Sequence, residues 1–115
     1  ALLRLRQAGH EIAIFTNGTH AMAEAAANAS AVLPLVDIIV SVDDIRQFKT
    51  APSAYRHLCE RMNLGAEDLC LVSSNRWDIA GGVAYGLSAI WLNRTDAPEE
   101  YADLAPMRVI RSLKE

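Results

Sequence analysis

Three polar segments hold the residues that could do chemistry in this chain of 115 residues. Thr16-Asn17-Gly18-Thr19 ends one apolar run, Asp43-Asp44 and then Lys49 follow a second, and Ser73-Ser74-Asn75 with Asp78 follow a third. Hydroxyls, an amide, backbone N–H groups at a helix start and one ammonium together make an anion site, suited to a carboxylate or a phosphate. Taken singly, each segment has a plainer reading. Thr16 to Thr19 reads as a strand-to-helix turn with Thr19 as its cap, and Lys49 as a solvated loop lysine. Ser73 to Asn75 reads as turn chemistry and Asp78 as an N-cap. The conjunction is more informative than any member.

The elements that would position these groups follow from periodicity. Ala1 to Ala8 reads as a helix stopped by Gly9, and Glu11 to Phe15 as a strand buried on both faces. Thr19 then caps an alanine-rich helix to Ala29. Pro34 breaks the chain before a β-branched strand from Val36 to Val42. Pro52 suits a first helical turn, and Tyr55, Leu58, Cys59 and Met62 recur at helical spacing up to Asn63. Leu69 to Val72 reads as a third strand, Asp78 to Tyr85 as a helix stopped by Gly86, and Ser88 to Leu92 as a fourth strand. Met107 to Ile110 is a weaker fifth strand, followed by a short helix. Strands alternating with helices predict an α/β fold, a Rossmann-like open parallel sheet with helices on both faces. In such sheets the ligand crevice lies at the carboxyl ends of the strands, where all three polar segments fall.

Composition bounds the rest. At 51% hydrophobic and 22% charged, with a net charge of -3 and no basic run, the chain reads as a globular piece that binds no nucleic acid. Its longest apolar stretch, Ala31 to Val42, is interrupted by Pro34 and Asp37 and falls short of the ~20 residues of a membrane span. Cys59 and Cys70 sit in apolar patterns and read as core residues, so a reducing cytoplasm is expected. His10, His20 and His57 have no metal-ligand spacing and read as surface histidines, and Arg46 and Arg76 as solvated charges.

The string Val72-Ser73-Ser74-Asn75-Arg76-Trp77-Asp78-Ile79-Ala80-Gly81-Gly82, with Thr16-Asn17-Gly18, Phe48-Lys49 and Trp91-Leu92-Asn93-Arg94, resembles the L-type 2-haloacid dehalogenases of the haloacid dehalogenase superfamily. Ser-Ser-Asn-x-Trp-Asp belongs to that branch, while the Thr-Asn-Gly turn and later lysine are shared more widely. The resemblance implies a partial core domain over residues 1–115 and hydrolysis of short 2-haloalkanoic acids through an aspartyl ester. It implies that Thr16, Asn17 and Trp77 bind substrate, with Thr16 and Asn17 at its carboxylate and the departing halide. It implies that Lys49 neutralises charge around the nucleophile, that Ser73 and Asn75 position substrate and water, and that Asp78 orients Lys49. No cofactor and no metal are expected: phosphatases of this fold carry an acid where Ser74-Asn75 stands, because Mg²⁺ requires several hard oxygen ligands.

The chain also departs from that pattern. It has no Asp-x-x-x-Thr nucleophile motif, Asp37 stands at the wrong end of a strand, and Thr50 replaces a proline that often follows the lysine. The first strand and helical cap of the family are absent too, so the chain reads as a fragment, inactive by itself. Two strand edges are then left open, and the expectation is that they either pair with each other or drive homodimeric, strand-mediated association. The expected partner is a 2-haloacid or other small carboxylate. Two alternatives stay open: an Mg²⁺-dependent phosphoester hydrolase, and an inactive fragment that binds a small anion or another chain.

Overall fold

Strand and helix alternate along the chain as the apolar periodicity requires. The computed structural model describes residues 1–114, which fall into two units, Ala1–Phe48 and the residues from Lys49 onward. In the first unit, helix α1 (Leu2–Gln7) leads to strand β1 (Ala13–Thr16), helix α2 (His20–Ala29) and strand β2 (Ile38–Ser41). β1 and β2 pair in parallel, from Ala13 opposite Ile38 to Thr16 opposite Ser41. At the amino end of this pair the Asp37 carboxylate accepts from the Ile12 N–H at 2.7 Å and from Arg6 at 2.6 Å. The Arg6 hydrogen bond, then that of Ile12, holds the Asp37 carboxyl below its usual range. Asp37 is thus spent on fixing strand register, away from the carboxyl end.

That carboxyl end is fastened differently. Ser41, fully buried, donates its hydroxyl to the Gly18 carbonyl at 2.6 Å and accepts from the Asp43 N–H at 3.1 Å. The turn after β1 is thereby tied to the end of β2. β1 itself is only half-buried along its length, not enclosed on both faces as its apolar run suggested. Its one strand neighbour among the described residues is β2.

In the second unit, helix α3 (Pro52–Met62) precedes strand β3 (Cys70–Ser73), helix α4 (Arg76–Tyr85), strand β4 (Ser88–Leu92) and strand β5 (Arg108–Ile110). The three strands are parallel in the order β3-β4-β5. α3 buries Ala54, Tyr55 and Leu58, the stripe its spacing foretold, and ends on Asn63 in the left-handed region at φ 55°. α4 ends on Gly86 at φ 113°, where a side chain would be strained. Inside α4, Gly81 and Gly82 stand side by side, each forgoing about 1 kcal/mol of helix propensity relative to alanine. Gly82 is explained by packing: a Cβ there would lie 2.8 Å from Leu71 of β3 and 3.4 Å from Leu87.

Several expectations are corrected. The described strands hydrogen-bond as a pair, β1-β2, and a triplet, β3-β4-β5. α4 starts at Arg76, two residues before Asp78, because Asn75 takes the N-cap position and Asp78 falls within the first turn. Residues 111–114 form bends and a turn in place of a final helix. Cys70 is exposed, since alternation along β3 turns Leu71 inward and Cys70 and Val72 outward.

Candidate functional site

The second unit builds its site from the first turn of α4 outward. Asp78 lies where the helix dipole favours a carboxylate, and its side chain is 3% exposed. Lys49 reaches it from just before α3, Nζ to Oδ2 at 3.0 Å, with the lysine side chain 7% exposed. This corrects the plain reading of Lys49 as a solvated lysine. The peptide bond that follows, Lys49–Thr50, is cis.

A third group completes the cluster. The Tyr55 hydroxyl, fully buried, lies 3.0 Å from Asp78 Oδ1 and 3.1 Å from the Asp78 carbonyl oxygen, and donates toward both. Burial first, and the adjacent Asp78 charge second, push the phenol far above its usual range, so it serves as a donor. The two carboxylate oxygens of Asp78 are therefore held separately, one by Lys49 and one by Tyr55. An ammonium pinned in this way supplies a localised positive charge in a dry setting, where it stabilises nearby negative charge more strongly than in water. Sequence reasoning missed Tyr55, which its spacing made one more member of an apolar stripe. The available signal was chemical: a buried tyrosine almost always finds a partner for its hydroxyl.

Ser73 and Asn75 shape the turn that leads into α4. Ser73 Oγ accepts from the Asn75 N–H at 3.1 Å, and the Ser74 carbonyl accepts from Trp91 Nε1 at 3.2 Å. Asn75 is exposed and its side chain makes no cap bond. Trp77 is 40% exposed and joins Thr50, Pro52, Gly81, Tyr85 and Tyr101 around a cavity of about 420 Å³.

Arg76 is the clearest correction in this unit. Expected as a solvated charge, it is 7% exposed and bound on several sides. Its Nε donates to Glu99 at 2.7 Å, and one terminal nitrogen donates to the Tyr101 and Leu104 carbonyls at 2.8 and 2.7 Å. The guanidinium also lies against the Trp91 and Tyr101 rings, 5.6 and 5.5 Å from their centroids. Its hydrogen bond, followed by that of the Tyr101 N–H, holds the Glu99 carboxyl below its usual range.

Thr16 and Asn17 belong to the first unit. Thr16 Oγ1 accepts from the Gly18 N–H at 2.9 Å, Asn17 is half-buried, and Thr19 caps α2 by accepting from the Met22 N–H at 3.1 Å. Asp44 there pairs with His20 at 3.0 Å. Among the described residues no group of three or more His, Cys, Asp or Glu side chains is placed to hold a metal ion, and no helix is long and apolar enough to cross a membrane.

Comparison with known proteins adds four findings. Residues 1–86 match the model of a family described as haloacid dehalogenase-like hydrolase. The (S)-2-haloacid dehalogenase 4A of Burkholderia cepacia is 36% identical over 99% of this chain and 49% of its own length. Among solved structures, that of a dehalogenase superposes with a TM-score of 0.95 at 34% identity, over 98% of this chain and 50% of that one. The L-2-haloacid dehalogenase of Xanthobacter autotrophicus with chloropropionic acid covalently bound gives 0.87 at 27% identity, over 97% and 54%. This chain therefore spans about half the length of the relatives it matches.

Proposed function

The chain belongs to the haloacid dehalogenase-like hydrolase family, and from that premise we propose that it is the lysine-bearing half of an L-2-haloacid dehalogenase. The observation that carries this reading is the buried Lys49–Asp78 pair, steadied by Tyr55 at the head of α4. In the proposed reaction an aspartate from the remainder of the longer protein attacks C2 of the haloacid and expels halide. Water then cleaves the resulting ester, giving a 2-hydroxy acid and restoring the aspartate. The covalently bound chloropropionic acid of the Xanthobacter autotrophicus structure supports such a substrate.

The residues of this chain take supporting parts. Lys49 offsets the negative charge that gathers around nucleophile and substrate, and Asp78 keeps the ammonium in place. Thr16 and Asn17 receive the substrate carboxylate and the leaving halide, Ser73 and Asn75 place substrate and water, and Trp77 borders the substrate. Ser74-Asn75 supplies neutral groups where an Mg²⁺ site requires a carboxylate, so the proposed reaction proceeds without metal. The proposed setting is the cytoplasm. The 115 residues by themselves are proposed to be inactive and to associate through the open edges of β1 and β3.

The test is halide release from L-2-chloropropionate by the full-length protein in the presence of a chelator. Steady release, lost by at least a thousandfold in Lys49→Met, is the expected result. Hydrolysis of an aryl phosphate that requires Mg²⁺, with no halide release, would overturn it.

A further inference from the structure

Gly81 lies one helical turn beyond Asp78 on α4, on the side that faces α3. A Cβ built there would overlap the Tyr55 hydroxyl oxygen and would stand 2.9 and 3.0 Å from the Thr50 side chain. The two neighbours differ in their freedom to move. Thr50 is exposed and can turn aside. Tyr55 is fully buried, its ring is stacked on Tyr85 with centroids 6.1 Å apart, and its hydroxyl is committed to Asp78. Interiors packed at crystal density pass such a displacement on to the next group. Here that group is the Asp78 carboxylate, and through it the Lys49 ammonium.

Helix propensity favours alanine over glycine at this position, and the space beyond Gly82 is already explained by packing on β3. Gly81 has a different reason. We propose that Gly81 is a positioning residue: its missing side chain admits the Tyr55 hydroxyl to Asp78 and so fixes where Asp78 holds Lys49. The inference rests on the reading of Lys49 and Asp78 as parts of the dehalogenase machinery.

The test uses the full-length protein with tyrosine labelled at the ring carbon that bears the hydroxyl, whose NMR shift reports the hydrogen bond. The Tyr55 signal is assigned by its loss in Tyr55→Phe. In Gly81→Ala that signal is expected to move, with halide turnover reduced about a hundredfold and KM little changed, because a misplacement of about 1 Å costs that much. Gly82→Ala, whose Cβ would meet Tyr55 only at an ordinary van der Waals distance of 3.8 Å from a ring carbon, is expected to leave the Tyr55 signal in place even if it lowers the melting temperature. Adding Tyr55→Phe to Gly81→Ala removes the overlap, so the double variant should regain thermal stability over Gly81→Ala without regaining turnover. That arm keeps the test decisive should Gly81→Ala fold poorly. An unmoved Tyr55 signal, or a double variant no more stable than Gly81→Ala, would overturn the inference. If the unsubstituted protein releases no halide, the functional reading fails, while the tyrosine shift and the melting temperatures still judge Gly81.

Discussion

The turns after β1 and β3 share a local design. In each, a hydroxyl at the strand's last residue accepts from the N–H two residues on: Thr16 from Gly18 at 2.9 Å and Ser73 from Asn75 at 3.1 Å. Each turn then opens a helix of ten residues. Beyond that point they diverge. α2 starts on the Thr19 cap, buries only Ala23 and Ala27, and carries no acid in its first turn. α4 starts on Asn75 with no side-chain cap bond and buries Arg76 and Asp78 in that turn. Burying charge costs several kcal/mol unless it is paired and hydrogen-bonded. The turn after β1 starts its helix on a neutral cap, whereas the turn after β3 meets that cost by pairing Asp78 with Lys49 and Arg76 with Glu99.

If this contrast is real, the two turns should break differently. Asp78→Ala strands the Lys49 ammonium in a buried setting and should cost about 3–5 kcal/mol in urea unfolding, together with all measurable turnover. A loss below about 1 kcal/mol would mean that the pair is as dispensable as a surface one. Arg76→Met should cost about 2 kcal/mol, chiefly through the Tyr101 and Leu104 carbonyls left without their donor. It should also change the acid limb of the stability curve. Glu99 has a folded-state pKa below the usual 4.5, so its contribution is present above that value and fades as pH falls through the lowered one. Without Arg76 that fading should shrink, which unfolding between about pH 5 and 3 measures. Thr19→Ala should cost only about 1 kcal/mol, the ordinary worth of an N-cap, and leave turnover unchanged. Lost activity in that variant would mean that the Thr19 cap does more than start α2.

What the sequence disclosed follows the same division. Runs such as Ser88 to Leu92, the Thr19 cap and the stops at Asn63 and Gly86 depend on local propensity and backbone conformation, and they stand where periodicity put them. The start of α4 was read two residues late because Asp78 competed with Asn75 as the cap, and both are good N-cap residues. The burial of Arg76 depends on Glu99, Tyr101 and Leu104, more than twenty residues away, which no local pattern reports. The family motif marked Lys49 and Asp78. Tyr55 and Gly81, which no local pattern singled out, emerged only from three-dimensional contact.

The low exposure of the Lys49–Asp78 pair also bears on ionic strength. Counter-ions at about 1 M screen charges over about 3 Å in open solution. Exposed pairs such as Arg111–Asp96, with side chains 70% and 74% accessible, fade under those conditions. At 7% and 3% accessible, Lys49 and Asp78 leave little room for salt to come between them. In the proposed dehalogenation each turnover releases a halide ion, and a pair so enclosed would hold its geometry as that product accumulates.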